Sequence, residues 1–127
     1  MLLTEMLNVE LVENTEGRYV CRTKVVDEML QPHGVLHGGI SAFLAEHAAS
    51  RAVNTHLDGD RQFAVGLEVS STHLEPVMKG DTIETVATPV RNRGRIRVWR
   101  VEQFRMSDGV QFNVSQVTIC IRDFSRR

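Results

Sequence analysis

A lone carboxylate, Glu46, stands among Ala42, Ala45, Ala48 and Ala49, eight residues after the glycine pair Gly38-Gly39. Burying a charged group among small apolar neighbours costs free energy unless the charge has a partner or a function, so Glu46 is a candidate nucleophile or general base. The two glycines fall where a helix would begin. There the first backbone N–H groups lack intrahelical partners, and missing side chains let a ligand approach closely. Such a terminus suits an oxyanion. Ser50, one turn beyond Glu46 on the same face, can hydrogen-bond the carboxylate or a water held by it. The plainer alternatives are a tight turn at the glycines and a solvated Glu46 beside Arg51 or Arg61.

Eight residues of helix are about 12 Å long. That is too far for a Gly38 N–H and a Glu46 carboxylate of one chain to meet on one small electrophile. If the two act together, they belong to different protomers across a two-fold axis, with the small alanine face allowing the helices to approach.

Among the histidines, His33 and His37 precede the helix, His47 faces away from Glu46, and His56 and His73 stand in separate segments. No HExxH arrangement or compact ligand triplet exists, so no metal is expected. Arg91, Arg93, Arg95 and Arg97 cluster around Asn92 and Gly94 at a turn, a dense positive patch suited to phosphate, or else a solvated hairpin balanced by Glu84 and Glu102. Aromatic interleaving is limited to Trp99, which favours a nucleotide-tailed metabolite over a nucleic acid.

These groups need a frame. Ile40, Phe43, Leu44, Ala48 and Ala52 recur at helical spacing from Gly38 to about Asn54, the one long helix the pattern supports. Leu7–Glu13 and Arg18–Val26 read as strands joined by a turn at Asn14–Gly17; Phe63–Leu74, Thr82–Val90, Arg95–Phe104 and Gln111–Ile121 read as further strands with short breaks. The expectation is an α+β fold of five or six antiparallel strands curled around one helix, with residues 1–127 as a single domain. Fifteen basic and sixteen acidic residues give a formal charge of -1, which offers no general attraction to nucleic acid or an anionic membrane. Cys21 and Cys120 are read as buried, reduced thiols. The absence of a basic leader and of a membrane-length apolar run points to a cytoplasmic protein without membrane partners.

The segment Gln31…His37-Gly38-Gly39…Glu46…Ser50 resembles the hotdog-fold acyl-CoA thioesterases, in the branch acting on 4-hydroxybenzoyl-CoA in the Arthrobacter manner or on 1,4-dihydroxy-2-naphthoyl-CoA in menaquinone synthesis. Relatives of the phenylacetate-pathway type place an aspartate one position earlier, where this chain has Ala45. The resemblance implies a homodimer with interfacial active sites, usually paired into a homotetramer, hydrolysing an acyl-CoA without a cofactor. It also implies roles by position. Glu46 would attack the thioester carbonyl or activate water, and the Gly38 N–H would polarise that carbonyl. Gln31 and His37 would orient the acyl and thioester groups, and Ser50 would position water or the acyl ring. Gly66, His73, Leu74 and the segment Arg91, Asn92, Arg93, Gly94, Arg95 would contact substrate or coenzyme A. Leu36, Phe43, Phe63 and Val65 are candidates for the apolar wall. Two other functions compete: a dehydratase of the same fold, which needs a histidine and a carboxylate beside a hydroxyacyl carbon, and a noncatalytic acyl-CoA binder.

Overall fold

The computed structural model describes residues 1–125. A short helix α1 (Leu3–Met6) leads into strands β1 (Glu10–Thr15) and β2 (Arg18–Lys24), joined by a tight turn in which Gly17 takes the left-handed φ of 90°. A 3-10 turn, Asp27–Met29, precedes the long helix α2 (Gly38–Asn54). Strands β3 (Gln62–His73), β4 (Thr82–Arg91), β5 (Ile96–Arg105) and β6 (Gln111–Asp123) follow. All six strands form one antiparallel sheet in the order β1-β2-β4-β5-β6-β3. This is the hotdog arrangement, one helix wrapped by a sheet, as the residue pattern and the resemblance both led one to expect. Helix α2 matches its sequence-predicted span; α1 was not foreseen.

The alanines of α2 explain how the sheet closes over it. Ala45, Ala48, Ala49 and Ala52 are buried against Trp99, Val101, Val117, Ile119 and Ile121. Small helix residues let the backbone lie close to the sheet while the strands supply the bulk. A second cluster, with Met29, Leu36, Leu44, Val77, Ile83 and Phe112, fills the space around the N-terminal half of the helix. Cys21 is fully buried and Cys120 half-buried, and both are free thiols.

Two features matter for a site. Strand β3 is a twelve-residue edge, so one side of its backbone has no strand partner among the described residues, and its pairing with β6 is interrupted by a bulge between Gly66 and Glu68. The β4–β5 turn, which carries the arginines, lies at the end of the sheet where Gln62 pairs with Asp123. The start of α2 lies at the other end, where His73 pairs with Asn113.

Candidate functional site

The helix start is built by His37. Its backbone is extended, and its Nδ1 accepts the Gly39 N–H at 2.9 Å, making a histidine the N-cap. Acceptance at Nδ1 places the ring proton on Nε2. With Gly39 satisfied, the Gly38 N–H remains without a hydrogen-bond partner among the described residues. Gly38 borders a cleft of about 340 Å³ lined also by Gln31, Val35, Leu36, Ser41, His73, Leu74, Glu75, Pro76, Val77 and Phe112. Gln31 bends its side-chain oxygen back to the His33 N–H, which leaves its amide NH₂ to point elsewhere. His73 packs on the glycine itself: a Cβ at Gly38 would come within 2.6 Å of its Nε2.

Glu46 sits apart from this cleft. It is half-buried and forms no hydrogen bond or ion pair among the described residues. Its carboxylate lies on Gly66, where a side chain of any kind would overlap Oε2. The glycine therefore makes room for the carboxylate at the β3 bulge. Ser50, one turn on, uses its carbonyl to accept Asn54 Nδ2 at 2.9 Å, and its hydroxyl makes no bond to Glu46 among the described residues. His47 turns to another face, stacked on Phe43 at 6.1 Å and edge-on to Tyr19 at 6.5 Å. Burial there, reinforced by the nearby Arg51 charge, lowers its pKa and favours the neutral ring.

The arginine turn is partly spent on its own structure. Arg95 pairs with Asp123 at 2.7 Å and donates to the Ile121 carbonyl, and hydrogen bonds from Arg95 and then Gln62 hold the Asp123 carboxyl below its usual range. Arg97 donates to the Gly94 carbonyl and to Asn92 Oδ1. Arg91 and Arg93 make no ion pair among the described residues. A larger cleft of about 680 Å³ opens at that end, lined by Asp58, Asp60, Arg61, Gln62, Asp123, Phe124 and Ser125. It holds none of the sequence-predicted residues, and its three aspartates suit a polyanion poorly.

Within one chain, then, Gln31, Gly38, His73 and Leu74 come together, Glu46 meets Gly66, and the arginines stand at the far end. Chemically this is a backbone N–H donor and, apart from it, a carboxylate, neither with a hydrogen-bond partner among the described residues. No group of three or more His, Cys, Asp or Glu side chains is placed to hold a metal among the described residues. Sequence reasoning missed Ser41, which is 2% exposed and lines the cleft; its position three residues after Gly38, on the same helix face, was the available signal.

Residues 33–111, the stretch that contains the helix start, the carboxylate and the arginine turn, match the family model described as "Thioesterase superfamily". The chain belongs to that superfamily. Among its relatives, the Bacillus subtilis protein named "Putative esterase ComA2" is 44% identical over 88 residues, 69% of each chain. A Listeria monocytogenes 1,4-dihydroxy-2-naphthoyl-CoA hydrolase is 32% identical over 102 residues, 80% of this chain and 81% of that one. The solved Haemophilus influenzae thioesterase HI1161 superposes with a TM-score of 0.88 at 29% identity, covering 98% of this chain and 85% of that one. The thioesterase chain shares the fold over 98% of its length and matches the family model over residues 33–111, and its chemistry is hydrolysis of an acyl-CoA thioester.

Proposed function

We propose that this thioesterase hydrolyses an aromatic acyl-CoA, with 1,4-dihydroxy-2-naphthoyl-CoA the first candidate, at sites shared between two protomers. The observation that carries the reading is a pair of unsatisfied groups: the Gly38 N–H at the helix start, and a half-buried Glu46 carboxylate without a partner among the described residues. The substrate choice draws on the Listeria relative named as a 1,4-dihydroxy-2-naphthoyl-CoA hydrolase and on the Glu46 spacing.

In this mechanism the thioester carbonyl lies over the Gly38 N–H, which stabilises the negative charge as it develops on oxygen. Glu46 of the other protomer attacks the carbonyl carbon, or takes a proton from a water that does. The C–S bond breaks and coenzyme A leaves as a thiolate, a competent leaving group that needs no metal or serine triad; in the nucleophilic route water then cleaves the acyl–Glu46 anhydride, releasing the free acid and restoring the carboxylate. Gln31 offers its free amide NH₂ to the acyl group, His37 fixes the helix start, and Ser50 orients water near Glu46. Gly66 keeps space for the carboxylate. His73 and Leu74 border the acyl-CoA, and the Arg91-Asn92-Arg93-Gly94-Arg95 turn receives its phosphates, with Arg91 and Arg93 carrying the uncommitted charge. No cofactor is required. A homodimer, or two such dimers in a tetramer, is the working form in the cytoplasm, with neither nucleic acid nor membrane as partner.

The second reading keeps the chemistry and changes the acyl group to 4-hydroxybenzoyl or a medium-length chain. Thiol release from 1,4-dihydroxy-2-naphthoyl-, 4-hydroxybenzoyl-, benzoyl- and medium-chain acyl-CoA, compared between wild type and Glu46→Ala, decides between them. Turnover concentrated on the naphthoyl substrate and abolished by the substitution is the expected result. Equal turnover of short aliphatic thioesters removes the aromatic assignment. Tight acyl-CoA binding that is insensitive to Glu46→Ala and produces no thiol replaces the enzyme with a binder, and hydration without thiol release replaces it with a dehydratase.

A further inference from the structure

Beneath the N-terminal half of α2 the inner face of the sheet turns polar where it would ordinarily be apolar. Cys21, Thr85, Gln103, Asn113 and His73 are successive cross-strand partners from β2 to β3. Thr85, Gln103 and Asn113 are at most 1% exposed, and Ser115, next along β6 on the same face, is 3% exposed. Buried polar side chains cost stability unless fully hydrogen-bonded. Gln103 Nε2 donates to Thr85 Oγ1 at 3.0 Å, while its Oε1 is buried without a partner among the described residues; the Asn113 side chain, by contrast, is bonded at both ends. Its Nδ2 lies 2.9 Å from Ser71 Oγ and 3.0 Å from His73 Nδ1, and its Oδ1 accepts Ser115 Oγ at 2.7 Å. The two serine hydroxyls are 2.9 Å apart.

Counting protons fixes the direction of these bonds. With Nδ2 toward His73, both amide hydrogens are used, one on Ser71 Oγ and one on His73 Nδ1; Ser115 donates to Asn113 Oδ1, and Ser71 donates to Ser115. Turning the amide over would leave one N–H without an acceptor among Ser71, His73 and Ser115, on a side chain that is itself fully buried. His73 Nδ1 is therefore an acceptor, and the ring proton sits on Nε2. That nitrogen is the atom packed on Gly38, and His73 and Gly38 both line the cleft.

We infer that Asn113 is a positioning residue whose side-chain amide holds His73 as an Nε2–H donor, so that His73 supplies a second hydrogen bond beside the Gly38 N–H at the thioester end of the cleft. The inference rests on the thioesterase reading above. It also accounts for the buried Asn113–Ser71–Ser115 cluster, because a polar network fixes one ring orientation and one tautomer, which an apolar core under an exposed histidine would not.

Two measurements test it. A long-range ¹H–¹⁵N spectrum of the wild-type protein near pH 8, above the ordinary histidine range, reads the tautomer, with the His73 signals assigned by their loss in His73→Gln. A single Nε2–H form is expected, giving way to tautomer exchange in Asn113→Ala. A wild-type ring protonated on Nδ1 overturns the inference. Kinetically, His73→Gln keeps an N–H near the Nε2 position and should hold kcat within about threefold, whereas His73→Leu should lower kcat about tenfold or more with little change in KM. Asn113→Ala should fall between them. Because His73 is exposed, its variants report even if Asn113→Ala fails to fold. Losses confined to KM, or wild-type kcat in His73→Leu, overturn the inference while the thioesterase reading stands. A wild-type protein that releases no thiol from any acyl-CoA removes both.

Discussion

Gly66 is the position where one methyl group separates function from folding. Its missing side chain is the space the Glu46 carboxylate occupies, and the blocked atom is the free end of a flexible side chain. Gly66→Ala should therefore leave the fold intact and push the carboxylate off its position. Misplacement of a reacting group by about 1 Å costs on the order of a hundredfold in rate, and that is the loss expected in thiol-release assays, with an unchanged circular dichroism spectrum. Wild-type turnover in Gly66→Ala would remove Glu46 from the chemistry. Cys21 is the opposite kind of residue, sealed in the core. Burial raises its thiol to about 11, against an ordinary value near 9. Between these values the unfolded chain has released the proton and the folded chain has not, so the folded state binds more protons and stability falls as pH rises through that window. Cys21→Ala should flatten the fall between about pH 9 and 11 relative to wild type in urea titrations. A thiol reagent should label Cys120 in the native protein and Cys21 only on unfolding; rapid native labelling of both would contradict the burial of Cys21.

The alanine face of α2 sets the distance between helix and sheet. Ala48 and Ala49 are fully buried beneath the strands, so enlarging one forces the two layers apart. Ala48→Leu should cost about 1–3 kcal/mol by the usual toll of overpacking, read as a lower urea midpoint with an unchanged slope; no shift would show that the helix rides more loosely than its packing implies. The same face explains why α2 was legible in sequence. Its apolar residues recur at helical spacing, and the glycines mark its start, so both ends were placed. The strands were legible from alternation and short turns, with their ends shifted by a residue or a few. Four-residue α1 is too short to show a period. The His37 cap escaped notice because the usual capping side chains carry oxygen. Asn113 and Ser115 were visible as polar residues alternating along β6, but only the β3–β6 register brings them to His73. Register likewise carries the arginine turn to the end of the sheet away from Gly38, a placement that local sequence does not encode.

One chain presents the two halves of the proposed site separately, and this makes assembly a testable part of the chemistry. Helix α2 is continuous from Gly38 to Asn54, so about 12 Å of helix axis lies between the polarising N–H and the carboxylate. The long unpaired edge of β3, which carries Gly66 and His73, offers backbone donors and acceptors to a second copy. Antiparallel pairing of two such edges would run the helices in opposite directions, bringing each Glu46 toward the other protomer's Gly38 and Gln31. Coexpressed Gln31→Ala and Glu46→Ala chains, carrying different tags, separate the possibilities. In a shared-site dimer each mixed molecule holds one site with both defects and one with neither, so random mixing should restore about a quarter of wild-type sites. The purified mixed dimer should reach about half of wild-type kcat, while each parent variant stays inactive or nearly so. Sites contained in single chains predict the reverse: every site in the mixed dimer carries one defect, and coexpression restores nothing. A fully active monomer in analytical ultracentrifugation would refute the shared site independently, because no rearrangement short of breaking α2 could bring Glu46 to Gly38 within one chain.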